Sequence, residues 1–363
     1  MRARETSPQW NKDRFTNTLP TITSPGLSTV VEFFLRGEHR TPAHKIPTIP
    51  RQAQEFSTAA RDLTVTWFGH SSAFVEADGF RVLLDPVWGE RASPVSFAGP
   101  RRFFAPPLPL SDLLSVPIDA VIISHNHYDH LDAKTIRALS SRDDLLFITP
   151  LGVGDYLTEF GIREENIVEL DWWEKAHIGA GNGLEITATP ARHFSGRAIA
   201  GVDRDRSLWA GWSLNFKKGD RRVFFSGDTA MFPGFREIGE RLGPFDLTMI
   251  EVGAYNAAWT DSHIGPEQAI QAHRDLRGAL FLPVHWGTFE LAMHSWIEPV
   301  ERLVVAAEKA QVELVIPRPG QSVLVQAPPP VERWWPDIPW QTAREAPIVS
   351  SGLENREYAS ADR

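Results

Sequence analysis

The chain contains no cysteine among its 363 residues. That excludes disulfides, thiolate metal ligands and cysteine nucleophiles together, so a metal site has to be built from His, Asp and Glu. A long apolar run is also missing. The most apolar early stretch, Val30-Val31-Glu32-Phe33-Phe34-Leu35, is six residues broken by Glu32, whereas a spanning helix needs roughly 20. The polar start, Met1-Arg-Ala-Arg-Glu-Thr-Ser-Pro, leads into no apolar core of signal-peptide length, so the expected location is cytoplasmic. Nor is there a basic block. Acidic residues outnumber basic ones, 46 to 37, for a formal charge of −9, and the doublets Arg101-Arg102 and Arg221-Arg222 stand alone. Nucleic acid is therefore not an expected partner.

What is present is an ordinary globular composition. Hydrophobic residues make up 42% and charged residues 23%, too apolar for disorder throughout and enough for one large domain or two smaller ones. Residues 1–60 are polar, Pro- and Thr-rich and weakly periodic. They read as an N-terminal arm that wraps the domain, with a short helix near Ser28–Arg36. Residues 61–326 alternate strand and helix patterns and form the expected main domain. Leu63–Phe68, Ala73–Val75 and Arg81–Leu84 read as strands, the last two joined at the hairpin signal Asp78-Gly79. Residues 86–118 are loop-like and rich in Pro and Phe, a length that points to function or disorder. Asp119–Ser124 is an expected strand, and Asp132 can cap the helix Ala133–Ser141 that follows. The alternation continues through Leu145–Thr149, Val153–Phe160, Ile167–Glu169 and Leu184–Thr189. Strands are then expected near Ser207–Phe216, Arg222–Ser226, Leu247–Ile250, Ala279–Val284, Val312–Ile316 and Ser322–Val325, with helices at Phe235–Arg241, Pro266–Arg274 and Ile297–Ala310. Residues 327–363 make a Pro/Trp-containing extension. Trp334 and Trp335 can pack back on the body, and disorder is expected beyond about Arg344. Such a mixture is of the α/β or α+β class.

The chemistry-bearing segment is His125-Asn126-His127-Tyr128-Asp129-His130. On extended backbone, residues two apart project to the same side, so His125 and His127 can grip one ion while Asp129 and His130 reach a second. Imidazole with carboxylate suits Zn²⁺ and other borderline divalent metals. With 12 His in the chain, this spacing arises by chance on the order of once in a thousand such chains. Three more candidates, His193, Asp228 and His285, each follow an apolar run, where a sheet holds ligand-bearing loops. Taken singly, Asp228 could cap a turn and either histidine could be a hydrogen-bonded structural group; beside the first cluster the ligand reading prevails.

These residues resemble the ligand series of the metallo-β-lactamase superfamily. Longer strings resemble its N-acyl-phosphatidylethanolamine phospholipase D branch and that branch's bacterial relatives: Ser124-His-Asn-His-Tyr-Asp-His-Leu-Asp132, Glu169-Leu-Asp-Trp-Trp-Glu174, Phe225-Ser-Gly-Asp-Thr229, Gly243-Pro-Phe-Asp246, Gly253-Ala-Tyr255 and His285-Trp-Gly-Thr-Phe289. They span roughly residues 63–320. The resemblance implies a four-layer αβ/βα sandwich with a dinuclear site at one edge. It assigns His125, His127 and His193 to one metal, Asp129, His130 and His285 to the other, and Asp228 to the bridge. The family's substrate-contacting histidine falls on His263, whose neighbours Asp261 and Ser262 depart from the mammalian pattern.

Two divalent ions, zinc first and manganese or iron as alternatives, would lower the pKa of a bridging water so that hydroxide exists near neutral pH. Asp129 can orient that hydroxide and accept its proton, and His263 can hydrogen-bond a phosphoryl oxygen or assist the leaving group. An alternative for His263 is a cap before Pro266. His70 and Asp85 are each read either as support behind a ligand or as ordinary strand-end residues. His177, His273 and His294 lack a constellation. Tyr255 and Trp259 are expected to line the substrate pocket, although loop aromatics also simply pack. The leading function is a phospholipase D-type phosphodiesterase acting on a glycerophospholipid. A metal-dependent lactonase is the enzymatic alternative, and a metal-stabilised binding or stress-response protein the non-enzymatic one. A groove made by residues 97–110 and 255–259 would favour the lipid. Under that reading membrane contact is peripheral, at the inner face, through Phe33-Phe34-Leu35 or the Phe/Pro loop. The β-lactam-hydrolysing members typically carry Cys where Asp228 stands and are exported, which this chain does not match.

Overall fold

The computed structural model describes residues 3–22, 37–179, 181, 183–198 and 201–353. The helix expected near Ser28–Arg36 and the Phe33-Phe34-Leu35 patch lie outside them. The body is two seven-stranded mixed sheets. The first is ordered β16-β3-β4-β5-β6-β7-β8, from Ser322–Leu324 (β16), Thr64–Gly69 (β3), Ser72–Ala77 (β4), Phe80–Leu84 (β5), Ala120–Ile122 (β6), Leu146–Pro150 (β7) and Ile167–Leu170 (β8). The second is ordered β15-β14-β13-β12-β11-β10-β9, from Glu313–Leu314 (β15), Gly278–Val284 (β14), Phe245–Glu251 (β13), Arg221–Phe225 (β12), Gly211–Phe216 (β11), Leu184–Thr189 (β10) and Lys175–Ile178 (β9). In each sheet one half is antiparallel and the other parallel, with β5 to β8 and β12 to β15 forming the parallel runs. A separate hairpin pairs Trp10–Asn11 (β1) with Arg14–Phe15 (β2).

Period-two alternation sorts the side chains between layers. Val65, Trp67, Ala73, Val75, Val82, Leu84, Ala120 and Ile122 share a core with Ile186, Ala188, Trp212 and Leu214 of the second sheet. Their neighbours Phe68, Phe74, Leu83, Val121 and Phe147 point the other way, onto Ile136 and Leu139 of the helix Ala133–Leu139 and Leu157 of the helix Gly154–Glu159. The helices Gly234–Leu242, Pro266–Asp275 and Glu298–Ala310 add Phe235, Ile238, Ala269, Val300 and Leu303 to the core of the second sheet. This is the αβ/βα sandwich the sequence suggested. Each fully buried large apolar side chain contributes roughly 1.5–3 kcal/mol by leaving water, so the layers are held by area rather than by any one contact. Asp132 caps its helix as expected, accepting from the N–H groups of Lys134 and Thr135.

The segment 345–353 takes a course different from the disorder expected beyond Arg344. Ile348 and Leu353 are buried, and the Ser350 hydroxyl donates to Thr260 O at 2.9 Å. A short terminal segment can order when it buries apolar side chains and its donors and acceptors are met by the body, and here both happen. Trp334 stacks on Trp286 with ring centroids 5.2 Å apart, and Trp286 stacks on Trp67 at 5.8 Å. Among the described residues, no helix is long and apolar enough to cross a membrane.

Candidate metal centre

Strands β3, β5 and β6 of one sheet, and β10, β12, β13 and β14 of the other, each run in one sense within their sheet. Their carboxyl ends deliver the polar groups to one edge, where ligand-bearing loops of open α/β sheets lie. The residues delivered are His70 after β3, Asp85 after β5, His125 to His130 after β6, His193 after β10, Asp228 after β12, Glu251 ending β13 and His285 after β14. Main-chain bonds lock the two sheets together here: Ala210 N–H donates to Ser124 O at 3.0 Å and His285 N–H to His70 O at 3.0 Å. Several of these residues sit in left-handed backbone (φ +54° at His70, +34° at Asp85, +63° at His285), a conformation that bulky residues adopt only where surrounding structure enforces it. Gly227, at φ +56°, precedes Asp228, and a Cβ there would lie 2.6 Å from that of Ser124. Only glycine lets the two ligand loops approach so closely.

Among the described residues, three groups of possible ligand atoms each lie within 4.8 Å of one another: His125, His127, His193 and Asp228; His70, Asp129, His130 and His285; and Asp228, Glu251, His263 and His285. In the first, His125 Nε2 lies 2.8 Å from His127 Nδ1, His193 Nε2 lies 3.2 Å from the same atom, and both Nε2 atoms are 3.7 Å from Asp228 Oδ2. In the second, His285 Nε2 is 3.2 Å from Asp129 Oδ2 and from Asp228 Oδ2, and His130 Nε2 is 3.0 Å from Asp228 Oδ1. Asp228 thus touches both sets. His130 Nε2 and Asp228 Oδ1 are buried and, among the described residues, make no hydrogen bond of acceptable geometry with each other or with anything else. Buried polar atoms are rarely left so, and divalent cations between the two sets would satisfy them.

The electrostatics fit the same occupant. Burial holds His125 and His193 well below the usual imidazole value and His127 at about 4, so this set is neutral and ready to ligate. Burial also pushes His130 and His285 down, but the carboxylates outweigh it. Asp228, Asp129 and Asp85 hold His130 well above its usual value, and Asp228 with Asp129 lifts His285 to about 10. Burial raises Asp129 and Asp228, yet the histidines keep both well below the carboxylate range. Protons on His130 and His285 here stand in for positive charge the site is built to hold.

Behind the ligands lies a supporting layer. Asp85 accepts from His130 Nδ1 at 2.7 Å and from Ser124 N–H at 2.7 Å, which leaves Nε2 of His130 for a metal. His193 Nδ1 donates to Ser262 O at 2.7 Å, and the Asn17 amide clamps the His193 main chain, donating to its O at 2.7 Å and accepting from its N–H at 3.1 Å. His70, fully buried and lowered to about 3 chiefly by that burial, lies 2.9 Å from Asp129 Oδ2. The support reading of His70 and Asp85 is the one the geometry favours.

The structure also brings His263 to the edge. Its Nδ1 is 2.8 Å from Glu251 Oε2, and its ring lies 5.1 Å from that of His285. Gly265, not His263, is the cap of the helix that follows. Tyr255 is buried, and its hydroxyl donates to Glu298 at 2.9 Å. Trp259 is half-exposed, its indole N–H spent on Ala254 O at 2.8 Å. His273 bonds Thr248 inside the core, His294 accepts from Ala254 N–H, and His177 is exposed on β9. Phe97, in the Pro/Phe loop, is 81% exposed, while Val87, Trp88 and Leu108 around it are buried. Sequence reasoning missed Glu251. The signal was available, since Glu251 ends an apolar strand just as Asp228 and His285 follow one.

Comparison with known proteins comes after this geometry. Residues 80–286 match the beta-lactamase superfamily domain. An uncharacterized protein of Mycobacterium tuberculosis is 43% identical over 339 residues, covering 91% of this chain and 88% of that one. The N-acyl-phosphatidylethanolamine-hydrolyzing phospholipase D 1 of Caenorhabditis elegans is 33% identical over 296 residues, covering 77% of this chain and 81% of that one. A metallo hydrolase of the archaeon Ignicoccus hospitalis is 25% identical with a TM-score of 0.53, over 72% of this chain and 97% of that one.

Proposed function

From a chain that belongs to the metallo-β-lactamase superfamily, and within it to the group holding the N-acyl-phosphatidylethanolamine-hydrolyzing phospholipases D, we propose a two-metal phosphodiesterase of phospholipase D type. Its substrate is N-acyl-phosphatidylethanolamine or a related glycerophospholipid. His125, His127 and His193 take one ion, Asp129, His130 and His285 the other, and Asp228 both, with zinc the ion best suited to such a donor set. The observation that carries the reading is the convergence of these seven side chains on two adjoining sets, both of which Asp228 touches, with His130 Nε2 and Asp228 Oδ1 buried and without a hydrogen bond.

Divalent ions bound here would supply Lewis acidity and the acidification of water that makes hydroxide available near neutral pH. The chain's own residues do the rest. Asp129 Oδ2 is held by His70, so Oδ1 is the oxygen left to orient the attacking water and receive its proton. His70 and Asp85 hold the Asp129 and His130 side chains against rotation. His263, with its Nδ1–H engaged by Glu251, turns Nε2 to the substrate and, carrying a second proton there, can donate to a phosphoryl oxygen or to the departing alcohol. Attack on phosphorus then breaks the bond to the N-acylethanolamine oxygen, which leaves with a proton, and phosphatidic acid remains.

The test is hydrolysis by metal-quantified protein of N-acyl-phosphatidylethanolamine in mixed micelles, beside an acyl-homoserine lactone, with Asp129→Asn and His263→Ala as controls. Phosphatidic acid release that both variants lose is the expected result. Opening of the lactone alone would transfer the function to a lactonase on the same site.

A further inference from the structure

Glu251 is fully buried, and every atom of its carboxylate is engaged. Oε1 accepts from two backbone N–H groups, Thr229 at 2.5 Å and Ile264 at 3.5 Å. Oε2 lies 2.8 Å from His263 Nδ1 and 3.7 Å from His285 Nδ1. One side chain therefore joins the loop that carries Asp228 to the loop that carries His263. A carboxylate with two backbone donors on one oxygen can only accept on the other, so the His263 nitrogen facing it must be the protonated one. Among the described residues nothing hydrogen-bonds Nε2 of His263, and its side chain keeps 15% exposure where most of the site is closed.

Glu251 could instead share a cation, since Asp228, Glu251, His263 and His285 also bring ligand atoms within 4.8 Å of one another. The orientation of His285 argues against it. Nε2 of that ring is turned to Asp129 and Asp228, whereas Glu251 lies on the Nδ1 side. A group behind an imidazole supports the ring and does not reach the ion in front of it.

We propose that Glu251 is the positioning residue of His263, keeping a proton on Nδ1 so that Nε2 is the nitrogen turned to the substrate, where it donates to the phosphoryl group when the ring carries its second proton. The inference rests on the reading of His263 as the residue that meets substrate.

Substitution Glu251→Gln tests it with almost no change of shape. The amide oxygen stays where two backbone N–H groups need it, because neither Thr229 N–H nor Ile264 N–H can become an acceptor. The amide NH₂ then faces Nδ1 of His263, two donors oppose each other, and the imidazole relieves the conflict by moving its proton to Nε2. In zinc-loaded protein with nitrogen-15-labelled histidine, the His263 signals, identified by their absence in His263→Gln, report which nitrogen is protonated. Wild type should carry the proton on Nδ1 and Glu251→Gln on Nε2. Bound metal should stay at the wild-type level, with kcat lower by about 10- to 100-fold, the usual cost of losing such a partner. A second substitution, His263→Ala, should cost little more in the Glu251→Gln background than Glu251→Gln alone.

A wild-type His263 with bare Nδ1 would overturn the proposal without any variant. So would Glu251→Gln with unchanged tautomer and turnover, or with metal lost in step with activity, which would put Glu251 behind His285 instead. Absence of phosphatidic acid release by the wild-type protein would defeat the substrate assignment, while the nitrogen signals would still decide the role of Glu251.

Discussion

Replacing Asp85 by alanine would take one carboxylate from behind the metal ligands and strand three donors. Its Oδ1 accepts from Ser124 N–H at 2.7 Å, and its Oδ2 accepts from the Ser124 hydroxyl at 2.6 Å and from His130 Nδ1 at 2.7 Å. All of these groups are buried, so water cannot replace the lost acceptor. At the lower end of about 1–3 kcal/mol for each buried donor left unmade, the metal-free fold should lose roughly 3 kcal/mol. The lower end applies because Ser124 Oγ, 3.0 Å from His125 Nδ1, has a second partner to turn to. His130 would also be free to rotate, and loss of such a partner typically costs about 10- to 100-fold in metal affinity. Denaturant unfolding in chelator measures the first effect, and zinc competition against a chromophoric chelator the second. The ion held by Asp129, His130 and His285 should be the one affected, since the first set does not use His130. Asp85→Ala protein that unfolds at the wild-type midpoint and holds both ions with unchanged affinity would refute the reasoning.

The same charges set proton stoichiometry. His127 at about 4 is neutral at pH 7.5, whereas His130 and His285, the latter at about 10, carry protons that a cation must displace. Zinc loading in weak buffer should therefore release up to two protons, one from each, and none while the first set fills. The folded value of His285 lies above the usual one, so its contribution to stability is complete below about pH 6.5 and is lost as the pH rises through its folded value. Metal-free protein should accordingly unfold more easily at pH 9.5 than at pH 6.5. Asp261 is a different lever. It is 1% exposed, pairs with the equally buried Arg192 at 3.2 Å and accepts from Ile22 N–H and Ser351 N–H. Asp261→Ala removes the counter-charge of a buried guanidinium that keeps its carbonyl partners Pro20, Met231 and Ser351, and should cost about 3 kcal/mol, the lower end for a broken buried pair, read as a lowered unfolding midpoint; a neutral effect would show that the two terminal segments do not brace the site.

How much of this was legible in the sequence follows from range. Strands such as Thr64–Gly69 and Phe80–Leu84 announce themselves by alternation, and the His125–His130 cluster by local spacing, because both are written in neighbouring residues. Strand Lys175–Ile178 was missed because it is a polar edge strand that pairs only with β10. The two-residue strands of the N-terminal hairpin are too short to show a period. Glu251 reads locally as an acid ending a strand; its meaning comes from register, which sets it beside Val284 just before His285. The partner of the Tyr255 hydroxyl, Glu298, lies over forty residues away and could not be read from the local sequence. The segment 345–353 reads as a disordered tail, and the distant Thr260, Asp261 and Arg192 explain why it is held.

The measurement closest to the central claim is stepwise reconstitution. Metal-free protein is given zinc in known equivalents, bound metal is counted, and phosphatidic acid release from N-acyl-phosphatidylethanolamine is followed at each step. Two ions should bind, with turnover reaching its full value only at the second equivalent, and Asp228→Ala should fail at both binding and turnover. Full turnover at one equivalent, or in the presence of chelator, would contradict a two-metal hydrolase.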